Sequence, residues 1–542
     1  MRGLARTHRR SPLGASGRPA AILSALALCA CGHPAQGQPA PAGVAVEARV
    51  ETGALRGQRL DDISVFKGVP YAAAPVGELR WRPPAPAPAW TGVRSAEQFG
   101  NDCMQTRPFW DQTQSKQPVS EDCLTLNVWA PATAKGAPVM VWIHGGAFVM
   151  GSGSQPIFDG ARLARRGVVV VTLNYRLGRF GFFAHPALTA ESGGALVGDY
   201  GLMDQIAALQ WVRRNIAAFG GDPAQVTIFG ESAGGGSVNQ LMAIGAARGL
   251  FTRAITESGG GHDVWPRLDV DLPDKPAAER VGQAFAVKSG VAAGADATTA
   301  AALRAIPAAK VLGGVDLLNQ PADTYSGPIA DGRLVTGSPF EAFAAGRAAP
   351  VPFLVGANSD ELGMIPGFLK GGMVEKAGKA LGADRATVEA AYGSKAAFEA
   401  GLISDVTFVE PARSLAGAHA AQGRPTFLYS FGYVLQAERK PGQGAGHASE
   451  VPFVFGNLDA LGKPVSDDDR RMAQLVGDYW VSFAKAGDPN GGGRPAWPTY
   501  ARPADLRLEF GADRTSAAKP ATAAALNAIA AHYAAPPATH NK

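Results

Sequence analysis

The chain has 542 residues, of which 46% are apolar and 18% are charged. This composition supports a large folded core and argues against a chain that is disordered along most of its length. The formal charge of +5 comes from the first 40 residues, which contain five Arg and no acidic residue. The remaining residues carry 46 basic and 46 acidic side chains, which argues against a basic nucleic-acid-binding surface.

The amino terminus has the layout of an export signal. Several Arg precede the apolar run Ala20–Ala30, and small and polar residues follow it. The run is too short for a membrane-spanning helix, which needs about 20 residues. We predict a signal peptide over residues 1–37 and an exported bacterial protein that is periplasmic, secreted or anchored to the outer membrane. Leu28–Cys31 resembles a lipoprotein cleavage box, so lipidation at Cys31 and ordinary cleavage near Gly37 both remain open.

Two cysteines, Cys103 and Cys123, lie in the body of the chain. In an exported protein such a pair predicts a disulfide, which by loop-entropy arguments contributes about 3 kcal/mol to stability. Two thiolates without a nearby His are too few for a zinc site, which typically uses four ligands, so no metal site is predicted here.

Short apolar runs alternate with helical patterns from about residue 137 onward. This alternation predicts an α/β fold with a mostly parallel central sheet and helices on both faces. The predicted strands are Pro138–Ile143, Val168–Leu173, Val226–Phe229, Val351–Val355 and Thr426–Tyr429, and a helix is predicted over Asp204–Phe219. No linker divides residues 41–535, so we predict one domain there and a disordered tail at 536–542. The Ala-rich stretches 275–315 and 374–425 are predicted to form helical insertions over the active site.

The segment Gly230–Gly234 has the pattern G-x-S-x-G between a predicted strand and a helix rich in small residues. A sharp turn in this position lifts Ser232 above the sheet, and the flanking glycines let neighbouring chains pass without a clash. The start of the following helix adds positive potential near a developing anion. We therefore predict that Ser232 is a nucleophile.

A serine nucleophile requires a base, and α/β-hydrolases place their residues in the chain order Ser, acid, His. Five histidines follow Ser232. His262 comes too early for an acid-bearing strand to precede it, His419 fits a surface position on a helix, and His532 and His540 belong to the C-terminal helix and tail. His447 follows a predicted strand in a glycine-bearing loop, where a catalytic base is expected. The sequence therefore favours His447.

The acid is expected after a strand between residues 232 and 447. Asp360 and Glu361 both satisfy this condition, and their positions do not separate them. Asp331 and Asp405 are alternatives, although the first suits a turn and the second suits a helix end. The acid would hold the tautomer of the imidazole and stabilise the imidazolium.

The sequence His144-Gly145-Gly146-Ala147-Phe148 directly follows a predicted strand. An HGGG-type loop in this position supplies backbone N–H groups to an oxyanion hole. Each such donor typically contributes about 10²–10³ in rate. We predict Gly146, Ala147 and Ala233 as the donors, and a structural role beneath the loop for His144.

These motifs together resemble those of the type-B carboxylesterases, the branch of the α/β-hydrolases that includes cholinesterases and bacterial para-nitrobenzyl esterases. Phe219–Gly235 is similar to the active-site signature of this family, and Glu121–Pro131 is similar to its second signature. Similar segments extend from about residue 45 to 535. The resemblance implies the α/β-hydrolase fold across nearly the whole mature chain.

The resemblance also implies roles for single residues. The family pattern N-x-D-E-G places the catalytic carboxylate at Glu361, although Leu362 stands where Gly is usual. It supports His447 and the three oxyanion-hole donors, and it assigns Ser258 to the orientation of the acid. It further implies a Cys103–Cys123 disulfide. The pairs Arg80 with Glu121 and Arg176 with Asp204 match structural ion pairs of the family.

The expected function is a serine carboxylesterase that acts through a Ser-Glu-His triad and an acyl-enzyme. The mechanism requires no cofactor, and the expected partner is a small-molecule ester. We expect short- to medium-chain or bulky xenobiotic esters as substrates. A monomer is the default expectation for the assembly. Three alternatives use the same fold: a catalytically silent binding protein, a lipase, and an amidase or carbamate hydrolase.

Overall fold

The apolar runs of the sequence assemble into one twisted sheet of 13 strands in the computed structural model. The structure describes residues 43–108, 111, 113–363 and 367–534, and the chain from Gly43 onward forms one compact unit. The predicted signal peptide at 1–37, with Cys31, and the predicted tail at 536–542 lie outside the described residues.

The strands are short, and each of the five predicted runs coincides with one of them, with ends that differ by at most five residues. They are β1 Val44–Val50, β2 Gly53–Leu60, β3 Ile63–Pro70, β4 Val93–Ser95, β5 Asp102–Cys103, β6 Val119–Ser120, β7 Thr125–Pro131, β8 Ala137–Ile143, β9 Val169–Leu173, β10 Phe182–Phe183, β11 Gly198–Asp199, β12 Gly221–Glu231, β13 Arg253–Glu257, β14 Phe353–Asn358, β15 Thr426–Phe431, β16 Arg507–Phe510 and β17 Thr515–Ala518.

The main sheet has the order β1-β2-β3-β7-β9-β8-β12-β13-β14-β15-β16-β17, and β4 pairs with β2 outside this path. The seven strands from β9 to β16 run parallel to one another, and the two edges of the sheet are antiparallel. The prediction of a mostly parallel central sheet is therefore confirmed, and the architecture is that of the α/β-hydrolase fold.

Helices cover both faces of this sheet. They are α1 Ala161–Ala164, α2 Gly178–Gly181, α3 Pro186–Glu191, α4 Tyr200–Asn215, α5 Ala233–Ala243, α6 Ala278–Lys288, α7 Ala297–Arg304, α8 Ala308–Leu312, α9 Pro339–Ala344, α10 Gly367–Ala380, α11 Arg385–Ala391, α12 Lys395–Ser404, α13 Glu410–Ala421, α14 Val451–Phe455, α15 Asp467–Ala486 and α16 Ala523–Ala534. A π-helical turn, Asp405–Val409, joins α12 to α13. Among the described helices, none combines the length and the apolar composition needed to cross a bilayer.

Strand β8 shows why the sheet is buried on both faces. Its residues Val139 and Val141 belong to the core on one side, whereas Met140 and Trp142 belong to the core on the other. Successive side chains of a strand point to opposite faces, so a continuous apolar run can fill two cores at once. This burial holds the centre of the sheet rigid where functional side chains follow the strands.

The carboxyl ends of the central parallel strands meet at one edge of the sheet. Gly230 of β12 lies opposite Ile143 of β8, and Glu231 lies opposite Glu257 of β13. Ligand sites of open α/β sheets form at this edge, because the loops that leave the strands converge there. The predicted catalytic segments after β8, β12, β14 and β15 therefore arrive in one place.

Candidate active site

Ser232 occupies a sharp turn between β12 and α5. Its backbone has φ 56° and ψ −124°, which is a strained conformation for a residue with a side chain. A Cβ atom at Gly234 would lie 2.0 Å from the carbonyl oxygen of Ile143, and one at Gly230 would lie 2.6 Å from the same oxygen. Glycine is required at both positions because β8 passes this close to the turn.

The imidazole of His447 bridges Ser232 and Glu361. Its Nε2 lies 2.8 Å from Oγ of Ser232, and its Nδ1 lies 2.6 Å from Oε2 of Glu361. An ionised carboxylate can only accept hydrogen bonds, so Nδ1 donates to Glu361 and Nε2 is left to accept the proton of the serine. This arrangement can deprotonate the hydroxyl for attack on a carbonyl carbon.

Glu361 is buried, and hydrogen bonds hold both its side chain and its backbone. Its Oε1 accepts hydrogen bonds from Oγ of Ser258 at 2.5 Å and from the backbone N–H of Asn358 at 2.7 Å. Its carbonyl oxygen accepts from the backbone N–H of His447 at 3.0 Å. Both residues of this pair are buried, because Glu361 is 1% exposed and Ser258 is 0% exposed.

The other predicted acids lie elsewhere. Asp331 accepts three backbone N–H groups of its own turn, from residues 333 to 335. Asp405 accepts from the hydroxyl of Tyr392 at 2.6 Å. Of the predicted acids, Glu361 is therefore the one whose carboxylate contacts His447, whereas position along the chain did not separate it from Asp360.

The remaining histidines have separate environments. His262 pairs with Glu410 at 2.6 Å, and His532 lies 2.8 Å from Asp384. His419 lies in α13 but is only 2% exposed and contacts Thr426, so its expected surface position is wrong. Burial lowers the pKa of His419 to about 4. It is buried because α13 packs against β14 and β15 and its inner face is closed off from solvent.

The loop after β8 turns back toward Ser232 through an unusual backbone. Gly146 and Ala147 have φ values of 106° and 52°, and a Cβ atom at Gly146 would lie 2.2 Å from the carbonyl oxygen of Met150. Ala147 and Ala233 both line the same cavity as Ser232. Backbone N–H groups in this part of the cavity would be near an oxyanion formed by attack of Ser232 on a carbonyl.

His144 lies beneath this loop, as the sequence predicts. It stacks on Tyr175 with 4.5 Å between the ring centroids, and its carbonyl accepts from the Tyr175 hydroxyl at 2.8 Å. Burial lowers the pKa of His144 to about 4, so the ring is neutral near pH 7. A neutral, stacked and buried imidazole supports the loop.

Comparison with known proteins shows the family to which the chain belongs. The model of the carboxylesterase family matches residues 44–376 and 389–528. The chain belongs to the carboxylesterase family. It is a carboxylic ester hydrolase with the α/β-hydrolase fold, and the predicted family resemblance is confirmed.

Two curated members of the family are similar over most of their length. The para-nitrobenzyl esterase of Bacillus subtilis (strain 168) is 36% identical over 469 residues, which cover 83% of this chain and 91% of that protein. The fumonisin B1 esterase of Sphingopyxis macrogoltabida is 36% identical over 482 residues, which cover 85% of each protein.

Solved structures of carboxylesterases share the fold. A para-nitrobenzyl esterase structure has a TM-score of 0.76 at 33% identity and covers 89% of this chain and 99% of that one. A carboxylesterase structure from Geobacillus stearothermophilus has a TM-score of 0.76 at 36% identity, and it also covers 89% of this chain and 99% of that one.

Three buried carboxyls beside the triad were missed by sequence reasoning. Glu231 precedes Ser232, and its Oε1 lies 3.2 Å from Nε2 of His447. Glu257 and Glu450 are also buried, and their carboxyls interact electrostatically with that of Glu231. Burial raises the pKa of Glu231 to about 7 and that of Glu450 to about 8, and it also raises the pKa of Glu257. Glu231 stands at the variable position of G-x-S-x-G, and this was the one signal available.

Nearby carboxylates perturb the pKa of His447. Burial of His447 favours its neutral form, but the charges of Glu231 and Glu361 outweigh this effect and raise the pKa of the imidazole. A protonated imidazole at this position is therefore stabilised from two sides. The face of the ring also lies against Phe408, with 4.6 Å between the centroids.

Ser232 opens into a cavity of about 360 Å³. Its wall is formed by the loop after β8, the loop after β13, the segment 320–328 and the π-helical turn. Residues on this wall include Phe148, Trp265, Tyr325, Thr407 and Phe408. The volume and the mixed aromatic and polar lining suit a small organic ester. Across the ranges that the structure describes, no cluster of three or more His, Cys, Asp or Glu side chains could hold a metal ion.

The remaining predicted pairs lie in the scaffold. Cys103 and Cys123 form a disulfide. The guanidinium of Arg80 contacts Glu121 at 2.5 Å, and that of Arg176 contacts Asp204 at 2.7 Å. Arg80 also donates to two carbonyls, of Arg304 and Ile306, and so ties the early part of the chain to the helical insertion.

Proposed function

We propose that the chain hydrolyses carboxylic esters with Ser232 as the nucleophile, His447 as the general base and Glu361 as the orienting acid. The observation that supports this most directly is the continuous hydrogen-bonded path from Oγ of Ser232 through His447 to Glu361, which opens into the cavity. Ser258 orients the acid by donating to its second oxygen. We assign Gly146, Ala147 and Ala233 as the oxyanion-hole donors.

The reaction follows from these roles. His447 takes the proton of Ser232 while Oγ attacks the ester carbonyl, and the oxyanion accepts the backbone N–H groups. The C–O bond to the alcohol then breaks, and the imidazolium protonates the leaving oxygen. Water hydrolyses the acyl-enzyme by the same sequence, which returns the proton to Ser232.

We propose short- to medium-chain or bulky esters as substrates. A cavity of about 360 Å³ supports this class, since pockets for small molecules begin at roughly 300 Å³. The name of the para-nitrobenzyl esterase, which states an ester of an aromatic alcohol, adds support for bulky alcohols.

The test is hydrolysis of p-nitrophenyl esters from acetate to palmitate by the mature protein. Ser232→Ala should abolish turnover of the short esters, and Ser516→Ala, the same change on the edge strand β17, should leave it intact. Covalent labelling of the parent protein by an organophosphate should be lost in Ser232→Ala alone. If the protein hydrolyses none of these esters and takes no label, the proposal is wrong and a silent binding protein is favoured. Preference for palmitate would favour a lipase, and faster turnover of matched amides would favour an amidase.

We further propose an exported monomer in which residues 41–535 form one domain between a cleaved signal at 1–37 and a short tail. The disulfide supports an oxidising compartment. Mass spectrometry of the protein from its native host would identify the first mature residue and any lipid on Cys31. Size-exclusion chromatography with light scattering would give its mass in solution.

A further inference from the structure

The loop after β13 brings charge into a cavity that is otherwise lined by neutral residues. Of the described residues on the cavity wall, Asp263 and Lys275 are the charged ones. Neither takes part in the triad or the oxyanion hole. A charged group on the wall of a substrate cavity selects among substrates by charge, because its solvation is partly lost there and must be replaced by the ligand.

The ammonium of Lys275 is held at a defined place. Its Nζ donates to the carbonyl of Val264 at 2.5 Å, and its backbone pairs with Leu272 across a short bridge. An ammonium has three N–H donors, so two remain for a ligand. The half-buried side chain has thus already lost part of its rotamer freedom before a substrate enters.

Neighbouring groups on the same wall are also donors. The side-chain oxygen of Gln320 accepts from Ser326 at 2.9 Å, which leaves its amide N–H groups for a ligand. The indole N–H of Trp265 is buried without a hydrogen-bond partner among the described residues. A wall with an ammonium and free N–H groups complements a ligand group that can accept several hydrogen bonds. A carboxylate is such a group, because its two oxygens offer about four lone pairs.

Asp263 is the opposing charge on this wall. Its side chain is exposed, and its carboxyl lies close enough to Lys275 for the two charges to interact. A carboxylate on a substrate is repelled by Asp263 and attracted by Lys275, so Asp263 limits how strongly this wall attracts an anion.

We propose that the cavity accepts half-esters of dicarboxylic acids, and that Lys275 binds their free carboxylate. This inference rests on the proposed function, since the ester bond of the half-ester is cleaved by the same triad. One product is then a dicarboxylate, and the other is the alcohol. Lys275 acts as a specificity-determining residue that touches the substrate away from the reacting carbonyl.

The experiment compares monoethyl esters of succinic to suberic acid with ethyl alkanoates of the same acyl length, using acid release to follow hydrolysis. For each variant the readout is the ratio of kcat/KM for the half-ester to kcat/KM for the neutral ester. A ratio within one variant cancels any loss of folded protein. We expect the ratio at the best chain length to fall roughly tenfold in Lys275→Met, as for loss of a hydrogen bond to a charged group, and to be retained in Lys275→Arg.

Two further variants make the test specific. Lys310→Met removes an exposed lysine whose Nζ also donates to a carbonyl, that of Ser289, and it should leave the ratio unchanged. Asp263→Asn should raise the ratio, because it removes the opposing charge. Equal falls in Lys275→Met and Lys310→Met would show only an effect of net charge and would overturn the inference.

The failure of this inference differs from that of the proposed function. If neutral esters are hydrolysed but Lys275→Met leaves the ratio of kcat/KM unchanged for every half-ester, the proposed carboxylate site is wrong. The proposed esterase function is then still supported. If neither series is hydrolysed and Ser232 takes no organophosphate, both are wrong.

Discussion

Oε1 of Glu231 lies 3.2 Å from Nε2 of His447, the same nitrogen that faces the hydroxyl of Ser232 at 2.8 Å. The residue before the proposed nucleophile thus contacts the proposed base directly. When Nε2 carries the proton taken from the serine, this carboxyl is in place to accept a hydrogen bond from it. The contact links the sharp turn that presents Ser232 to the basicity of His447.

Removing this charge should move the pH profile. In Glu231→Gln the pKa of His447 should fall by about one unit or more, as expected when an opposite charge within hydrogen-bond range is lost. Because the base acts in its neutral form, the acidic limb of the kcat/KM profile should shift to lower pH. The profile of p-nitrophenyl acetate hydrolysis measures this. Glu78→Gln, on an exposed turn, is the matched control, and a limb that stays in place in Glu231→Gln would contradict the role of this contact.

Exchanging the acid of the proposed triad should be far more damaging than exchanging its neighbour. Glu361→Gln should lower kcat by about 10³–10⁴, because the amide favours the wrong imidazole tautomer. Asp360→Asn, the same change one residue earlier, should retain activity within a few-fold. Burst kinetics with p-nitrophenyl butyrate would measure both variants. Comparable losses in the two variants would show that the assignment of the acid is wrong.

Loss of the hydroxyl that holds the acid should be a milder change. Ser258→Ala removes one of two hydrogen bonds to Oε1 of Glu361 and leaves the N–H of Asn358 in place. We expect kcat to fall about tenfold with KM nearly unchanged, since a hydrogen bond to a charged group contributes about 1.5–3 kcal/mol. Ser258→Thr, which keeps the hydroxyl, should recover part of the rate. A rise in KM at unchanged kcat would contradict a positioning role.

Glu450 should make stability depend on pH. Its pKa is about 8 in the folded protein, against an ordinary value of 4.5, because the group is buried near other carboxyls. The folded state therefore binds more protons than the unfolded state between these values, and this contribution to stability is lost as the pH rises through that window. Between pH 4.5 and about 8, the difference in free energy of unfolding between the parent protein and Glu450→Gln should fall by up to about 1.4 kcal/mol per pH unit. Urea unfolding from pH 5 to 9 measures it, and parallel curves for the two proteins would contradict the prediction.

The disulfide should stabilise the fold without taking part in the reaction. Replacing Cys103 and Cys123 together by Ser should lower the free energy of unfolding by about 3 kcal/mol through the loop entropy of the unfolded chain. Reductant should shift the urea midpoint of the parent protein to that of the double variant and leave the double variant itself unchanged. Equal midpoints for the two proteins without reductant would show that the bond contributes nothing.

The sequence by itself determined the features that local patterns encode. Apolar runs predicted the central strands because a strand buried on both faces needs a continuous run of apolar residues. The G-x-S-x-G turn predicted Ser232 as the nucleophile, since strain and close approach demand small residues on either side of it. The order of elements left His447 as the histidine that follows a late strand.

Only the tertiary structure decided which groups meet. Glu231 and Glu257 end neighbouring parallel strands and face each other in register, whereas Glu450 comes from the residue before α14 and interacts with Glu231 across the fold. Burial then perturbs their pKa values, and burial is a property of packing that no short pattern encodes. Position along the chain also did not separate Asp360 from Glu361, because neighbouring residues differ only in the direction of their side chains. That direction, and the placement of Lys275 on the cavity wall, depend on long-range contacts made when the loops converge at the carboxyl ends of the strands.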